Sequence, residues 1–210
     1  MSEYIWLSKS LGHAANFRDL TSDQLERDRD EAIECGRRSL AGESMGPECF
    51  PKEIWPVAGA GKSAASASAD FFAGAAHWIV SGRFAELLRQ FEMGGANLYP
   101  VKFLQADRET PAKGEWFCLN FGNVRRGLAP DESTSLRPTF KPNEWTVKAV
   151  LADFDVSFRM KDIGVEAAIW IDPSLINVLC LSAPLGDAMR DRGITKGFKG
   201  LGDMIRGRVI

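Results

Sequence analysis

One local pattern is written twice in this chain. Trp78-Ile79-Val80-Ser81-Gly82-Arg83-Phe84 returns as Leu179-Cys180-Leu181-Ser182-Ala183-Pro184-Leu185. In each copy a short apolar run meets a serine, with apolar residues three places on (Phe84, Leu185) and seven places on (Leu88, Met189). A charged stretch follows and then glycine, Gly94-Gly95 in the first copy and Gly193 in the second. Short apolar runs suit buried strands, and a serine oxygen accepts the free N–H groups of a first helical turn. Glycine tolerates the left-handed conformation that closes a helix. The pattern therefore predicts strand, serine cap, short amphipathic helix and glycine exit, twice over, and it commits the chain to mixed α and β structure.

The chain has 210 residues, 45% of them hydrophobic, which is ample for a buried core in one or two domains. Its net charge of -2 is unevenly spread. Residues 1–70 hold 12 acids against 8 bases, 71–140 hold 7 against 8, and 141–210 hold 9 against 10. A nucleic-acid binder needs a basic stripe, because phosphate neutralisation supplies most of its affinity, and none exists here. The four cysteines, Cys35, Cys49, Cys118 and Cys180, are too far apart in sequence for a metal knuckle. Cys118 and Cys180 lie in apolar strand-like runs, where cysteine behaves as a small hydrophobe. The N-terminus lacks the basic and apolar regions of a secretory signal, and no apolar run reaches membrane-spanning length. A cytoplasmic protein without membrane contact or cofactor is expected.

Along the chain, residues 3–7 read as a first strand. Residues 21–38 read as a largely solvated helix or an ordered polar segment, in which Leu25, Ala32 and Ile33 are the apolar residues available for a stripe, with Thr21, Ser22 or Asp23 as cap. From Gly42 to Ala69 the composition turns to glycine, proline, serine and alanine, which predicts a long connection anchored locally by Ile54 and Trp55. Residues 98–103 and 115–121 suit adjacent antiparallel strands joined by a polar loop over 107–114. Residues 128–144 read as a proline-rich surface loop. Strand-like alternation returns at Val147, Ala149 and Leu151, and again at 169–171. The expected class is α+β, with a mixed, mostly antiparallel sheet and short helices. Residues 1–69 are expected to form an irregular or helical N-terminal portion packed on a main domain over 70–210.

Chemical motifs are sparse. Gly59-Ala60-Gly61-Lys62-Ser63 resembles the end of a phosphate loop, but Pro56 stands where the first glycine belongs, and neither flank supplies the strand and helix the motif requires. The only histidines are His13 and His77, and His77 within Ala76-His77-Trp78-Ile79 reads as a strand residue. On a strand, Asp153 and Asp155 would project from one face, where two carboxylates can exchange protons or bind a cation, although a solvated strand end is the favoured reading. Asp172-Pro173 marks a turn. No combination of nucleophile, base and oxyanion donor emerges.

From about Asp70 to the C-terminus the chain resembles a bacterial immunity-protein family associated with polymorphic toxins, a Myxococcus-type family formerly described only as a domain of unknown function. The resemblance is carried by Asp70-Phe71-Phe72-Ala73-Gly74, Trp78-Ile79-Val80-Ser81, Leu98-Tyr99-Pro100-Val101 and Trp116-Phe117-Cys118-Leu119-Asn120-Phe121. It continues through Ile169-Trp170-Ile171-Asp172, Leu179-Cys180-Leu181-Ser182 and Ala188-Met189-Arg190-Asp191-Arg192-Gly193-Ile194-Thr195-Lys196-Gly197-Phe198. That family is not defined by catalytic residues. The resemblance implies a cytoplasmic antidote that binds a cognate toxin domain and blocks its active site.

Two function classes are in play. A non-enzymatic toxin binder fits the missing catalytic constellation, with some of the six tryptophans and thirteen phenylalanines free to anchor an interface. The alternative is an enzyme that reverses a toxin's modification, or has an unrelated hydrolytic activity, using Asp153, Asp155 or Gly61-Lys62-Ser63. For a binder, the acidic stretch containing Asp23, Glu26, Asp28, Asp30 and Glu34 is the leading docking surface, because toxins that attack nucleic acids present basic clefts. Asp131 with Glu132, and Asp153 with Asp155, are the other candidates.

Overall fold

The computed structural model describes residues 4–59, 69–148, 152–159, 167–194 and 204–210. The first half contains β1 (Tyr4–Ser8), β2 (Leu20–Ser22), α1 (Asp23–Arg27), α2 (Arg29–Leu40), β3 (Glu53–Pro56), β4 (Phe71–Gly74), β5 (His77–Ser81), α3 (Gly82–Leu88), β6 (Asn97–Pro100) and β7 (Lys102–Phe103). The second contains β8 (Trp116–Asn120), β9 (Leu136–Pro138), β10 (Trp145–Val147), β11 (Ser157–Phe158), β12 (Ile169–Ile171), β13 (Leu179–Ser182), α4 (Ala183–Asp191) and β14 (Ile205–Val209). Among the described residues the sheets run β11-β14-β1-β13-β12, β4-β5-β8-β6, β2-β3-β7 and β9-β10. Among the strand pairs of the described residues, only β11–β14 and β3–β7 are parallel. The class is α+β with mostly antiparallel sheets.

The duplicated pattern forms the same unit twice. In the first, β4 and β5 pair so that Phe71 faces Val80; in the second, β12 and β13 pair so that Ile169 faces Leu181. The register continues into the cap: the Ser81 N–H donates to the Asp70 carbonyl at 3.0 Å and the Ser182 N–H to the Ala168 carbonyl at 2.8 Å. Each serine Oγ then accepts the N–H three residues on, from Phe84 at 3.3 Å and Leu185 at 3.4 Å. Both serines are helix caps, as the sequence predicts.

The glycine exits differ between copies. After α4, Gly193 has φ +63, its N–H bonds the Arg190 carbonyl, and the Ile194 N–H bonds the Met189 carbonyl. That is a Schellman closure, with buried Ile194 and Met189 in the same apolar cluster. After α3 the chain instead tightens through Gln90 and Phe91, and left-handed Gly94 comes later, where Asn123 holds the neighbouring Gly95 N–H at 2.8 Å. Arg83 ties the two units together. Its guanidinium meets Asp70 at 3.0 Å and donates to the Arg192 and Gly193 carbonyls at the end of α4.

Strands β4, β5 and β8 of one large sheet and β12 and β13 of the other are buried on both faces, which is why they read as near-continuous apolar runs. Trp78, Val80, Phe117 and Leu119 from one sheet, and Trp6, Ile169, Leu179 and Leu181 from the other, share a core with Phe84, Leu88, Leu185 and Met189 of the helices. The opposite face of the four-stranded sheet, including Phe72, Ile79, Trp116 and Cys118, packs with Leu20, Ile54 and Phe103 of the three-stranded sheet. The opposite face of the five-stranded sheet, including Ile5, Leu7, Trp170 and Cys180, packs with Leu136, Trp145 and Val147 of the β9–β10 hairpin. All four cysteines are free thiols.

The structure corrects the reading of residues 42–69 as connection alone. Ile54 and Trp55 belong to β3, which pairs with Leu20–Ser22 on one side and Lys102–Phe103 on the other. Residues 97–100 and 116–120 are adjacent antiparallel strands, β6 against β8, but Lys102 and Phe103, expected in the same strand as β6, leave that sheet and run parallel to β3. Ala149 and Leu151, and Thr195 to Phe198, lie outside the described residues.

Candidate partner-binding surface

The acidic stretch folds as two helices rather than one. Ser22 caps α1 by accepting the Leu25 N–H at 3.1 Å, and Asp28 breaks the run and caps α2 by accepting the Glu31 N–H at 3.0 Å. The inward face of α2 is made of small residues, Ala32, Cys35, Gly36 and Ser39, at helical spacing. Ile33, which the sequence offers as a stripe residue, points outward and is 48% exposed. Small residues let the helix backbone approach closely, and Gly36 lies directly on the Ala76 carbonyl.

The approach meets an unusual turn. Between β4 and β5 the consecutive residues Ala75 and Ala76 have φ +53 and +68, left-handed conformations that cost an L-residue about 1–2 kcal/mol each relative to right-handed ones. Next to the turn, His77 is buried, with its Nε2 at 2.9 Å from the Gln24 Oε1 of α1. Gln24 in turn donates to the Cys49 carbonyl at 3.3 Å. Burial pushes the His77 imidazole down to about 4, so it is neutral near neutral pH and its Nε2–H is the donor to Gln24. His77 is a pin between sheet and helix.

Between α1–α2, β2 and the β4–β5 turn runs an open groove of about 410 Å3, lined by Leu20, Thr21, Leu25, Arg29, Ile33, Val57 and Ala76. Val57 is 44% exposed. Glu26, Asp28, Asp30, Glu31 and Glu34 are exposed on the same two helices, while the charged residue lining the groove itself is Arg29.

These carboxylates divide by role. Asp23 accepts the Lys52 and Glu53 N–H groups and so docks α1 on β3. Glu26 pairs with Arg108 at 2.8 Å, and Arg108 lies over the Trp55 ring. Glu34 is held by the Arg37 guanidinium at 2.5 Å, which keeps its carboxyl below the ordinary carboxylate range. The Asp30 carboxylate makes no hydrogen bond or ion pair among the described residues, and within α1–α2 it is the one most available to a partner.

The other acidic candidates lie elsewhere: Asp131 and Glu132 keep exposed side chains, whereas Asp153 and Asp155 are committed to the fold. Asp131 and Glu132 form a 3-10 turn at which the Glu132 carbonyl accepts the Ser157 hydroxyl at 2.8 Å. Asp153 and Asp155 do not alternate along a strand: they sit in a turn before β11, with Phe154 at φ +69. Partial burial opposes ionisation of Asp153, but the guanidinium and N–H of Arg206 outweigh it and hold the carboxyl low. Asp155 accepts from the Ala152 N–H, Ser135 and Thr134, and these bonds lower its carboxyl too. A carboxylate so stabilised in its charged form is a poor proton carrier. Gly61, Lys62 and Ser63 lie outside the described residues.

Asp172 does more than the turn the sequence suggests. Fully buried, it accepts the Gly127, Leu128 and Ser174 N–H groups at 2.9 Å each and anchors the 127–128 segment to the end of β12. Among the described residues, no group of three or more histidine, cysteine, aspartate or glutamate side chains is placed to hold a metal ion. Within the same residues no helix is long and apolar enough to cross a membrane.

A family model described as Immunity protein family (Imm11) matches residues 19–202. That match takes in α1, α2, the groove and both duplicated units. No curated protein matches the chain.

Proposed function

The chain belongs to the immunity protein family Imm11, and on that premise we propose that it neutralises a cognate protein toxin by binding it and covering its active site. The family match carries this reading, and the acidic face of α1–α2 supplies the surface. Asp23 and Asp28 hold the two helices in place, while Asp30 and its exposed neighbours present negative charge to solvent. Such a face attracts a basic cleft over several ångströms and accelerates encounter in a salt-dependent way. The protein acts as a binder, with no chemical step of its own.

The test uses a purified toxin domain against which this chain protects cells on co-expression. Association is measured by stopped flow across a salt series for the native chain and for Asp30→Lys with Glu34→Lys. Neither substitution removes a helix cap, and the Glu34–Arg37 pair lost is an exposed one worth little. The native rate should fall steeply with salt, and the double variant should associate more slowly and with a flatter dependence. Identical rates for the two proteins would remove α1–α2 from the interface.

A further inference from the structure

We propose that Cys35 and Cys49 form an oxidisable pair that closes to an intrachain disulfide, with a small-molecule disulfide such as glutathione disulfide as the oxidant. Cys35 lies on the inward face of α2, and Cys49 closes the 3-10 turn Pro47–Cys49, fourteen positions further on. Their thiols are hydrogen-bonded to each other, so the two sulfurs have only to close to bond length. This chemistry is independent of what the chain binds. Its product staples the middle of α2, the helix that carries Asp30 and Glu34, to the segment entering β3.

Both backbones are held from outside the pair. Beside Cys35, Gly36 lies on the Ala76 carbonyl; beside Cys49, buried Phe50 stacks on Tyr99 with ring centroids 4.6 Å apart. The Cys49 carbonyl accepts from Gln24 at 3.3 Å, and the Tyr99 hydroxyl donates to the Met45 carbonyl. Each sulfur therefore meets the other at a local concentration far above that of a dissolved thiol, and a mixed disulfide formed on one is resolved by its neighbour.

Access divides the labour. Cys35 is 4% exposed, whereas Cys49 is partly exposed. Burial first, and then the bond to Cys49, push the Cys35 thiol up to about 11, so Cys35 is not the thiolate that attacks first. Arg38, three positions after Cys35 and paired with Glu43 at 2.6 Å, brings its positive charge to both sulfurs. The Cys49 thiolate, its proton given to water, attacks one sulfur of the oxidant, whose S–S bond breaks and releases one glutathione thiolate. Cys35 then gives up its proton and attacks the Cys49 sulfur of the mixed disulfide, expelling the second glutathione thiolate. Two protein thiols are oxidised to one disulfide, and the oxidant takes up the two electrons and becomes two thiols. Cys118 and Cys180 take no part, because both are fully buried and burial raises their thiols well above the ordinary range.

The test treats the folded full chain with excess glutathione disulfide, traps the free thiols by alkylation in denaturant and maps the products by mass spectrometry. Free thiols should fall from four to two, with the mass of two hydrogens lost and the peptides of Cys35 and Cys49 joined. The oxidised chain should melt several degrees higher than the reduced one, since the bond constrains the unfolded state, and dithiothreitol should reverse both changes. In Cys35→Ser the reaction should stop at a mixed disulfide of glutathione with Cys49, and in Cys49→Ser the remaining thiols should all stay free. A native chain that stops at that mixed disulfide, that keeps all four thiols, or that joins either cysteine to Cys118, Cys180 or a second chain would overturn the pair.

Discussion

The two serine caps form an internal controlled experiment. Ser81 and Ser182 occupy the same register and accept the same bond, at 3.3 and 3.4 Å. They differ in one partner: the Ser81 hydroxyl also donates to the Asp70 carboxylate at 2.7 Å, whereas Ala168 stands at the corresponding place in the second unit. Asp70 is only 7% exposed, so a donor lost there is not freely replaced by water. Ser182→Ala removes a cap and should cost about 1 kcal/mol. Ser81→Ala removes a cap and a hydrogen bond to a buried charge, the latter worth about 1.5 kcal/mol, for about 2.5 kcal/mol in all. Because Arg83 still pairs with Asp70, the low end of the range for a charged acceptor applies. For a chain of this size each kcal/mol moves the melting temperature by about 2–4 °C, so the drops should be about 2–4 °C for Ser182→Ala and about 5–10 °C for Ser81→Ala. Thermal unfolding followed by circular dichroism reads both, and Asp70→Ala completes a double-mutant cycle with Ser81→Ala that should show coupling of about 1.5 kcal/mol. Equal losses at the two serines, or a larger one at Ser182, would refute the assignment of the difference to Asp70.

Three further outcomes are expected. The His77 group is depressed to about 4 when folded against about 6.5 unfolded, so the unfolded chain binds the extra proton between those values. Its contribution is complete above pH 6.5, is lost as pH falls towards 4, and reaches at most about 3 kcal/mol; urea midpoints across that window should fall with pH, and the His77 ring resonance should stay fixed down to about pH 5. At the contact of α2 with the β4–β5 turn, Gly36→Ala should destabilise by about 1–3 kcal/mol, because a methyl there overlaps the Ala76 carbonyl oxygen, while Ala76→Gly should stabilise by about 0.5–1 kcal/mol. Denaturant titration gives both signs. Asp172→Ala should cost about 3 kcal/mol or more by stranding N–H groups of Gly127, Leu128 and Ser174, and amide hydrogen exchange should localise the loosening to 127–128.

What was legible in the sequence was local. Strand, cap and helix of the duplicated unit follow from short-range chemistry, so Ser81 and Ser182 could be assigned from neighbours within seven residues. β3 was hidden because its two stabilising partners are Leu20–Ser22 and Lys102–Phe103, far away in sequence, and because Pro56 and the glycines beyond it read as a break. The site was half legible. Its charge stood out in the composition of residues 23–34, but the groove depends on which way α2 turns. Counting apolar residues put Ile33 inside; the small residues Ala32, Cys35, Gly36 and Ser39, spaced at three, one and three, were the signal for the buried face. Ala76 gave no sign of a left-handed conformation, since that conformation is imposed by the β4–β5 pairing and by helix α2 above it. Asp153 and Asp155 misled for the opposite reason: alternation around Phe154 suits a strand, but the partners on Arg206, Ser135 and Thr134 that fold it into a turn are distant.

The measurement that bears most directly on toxin neutralisation by binding is inhibition of the purified toxin domain's activity as this chain is titrated in. A binder that covers the active site should abolish activity at one chain per toxin, with an endpoint that does not drift with time, and the inhibited mixture should elute as a single complex from a sizing column. Protection that continues to grow at a small fraction of one chain per toxin, with no complex recovered, would mean that the chain turns over a substrate and would contradict the binding account.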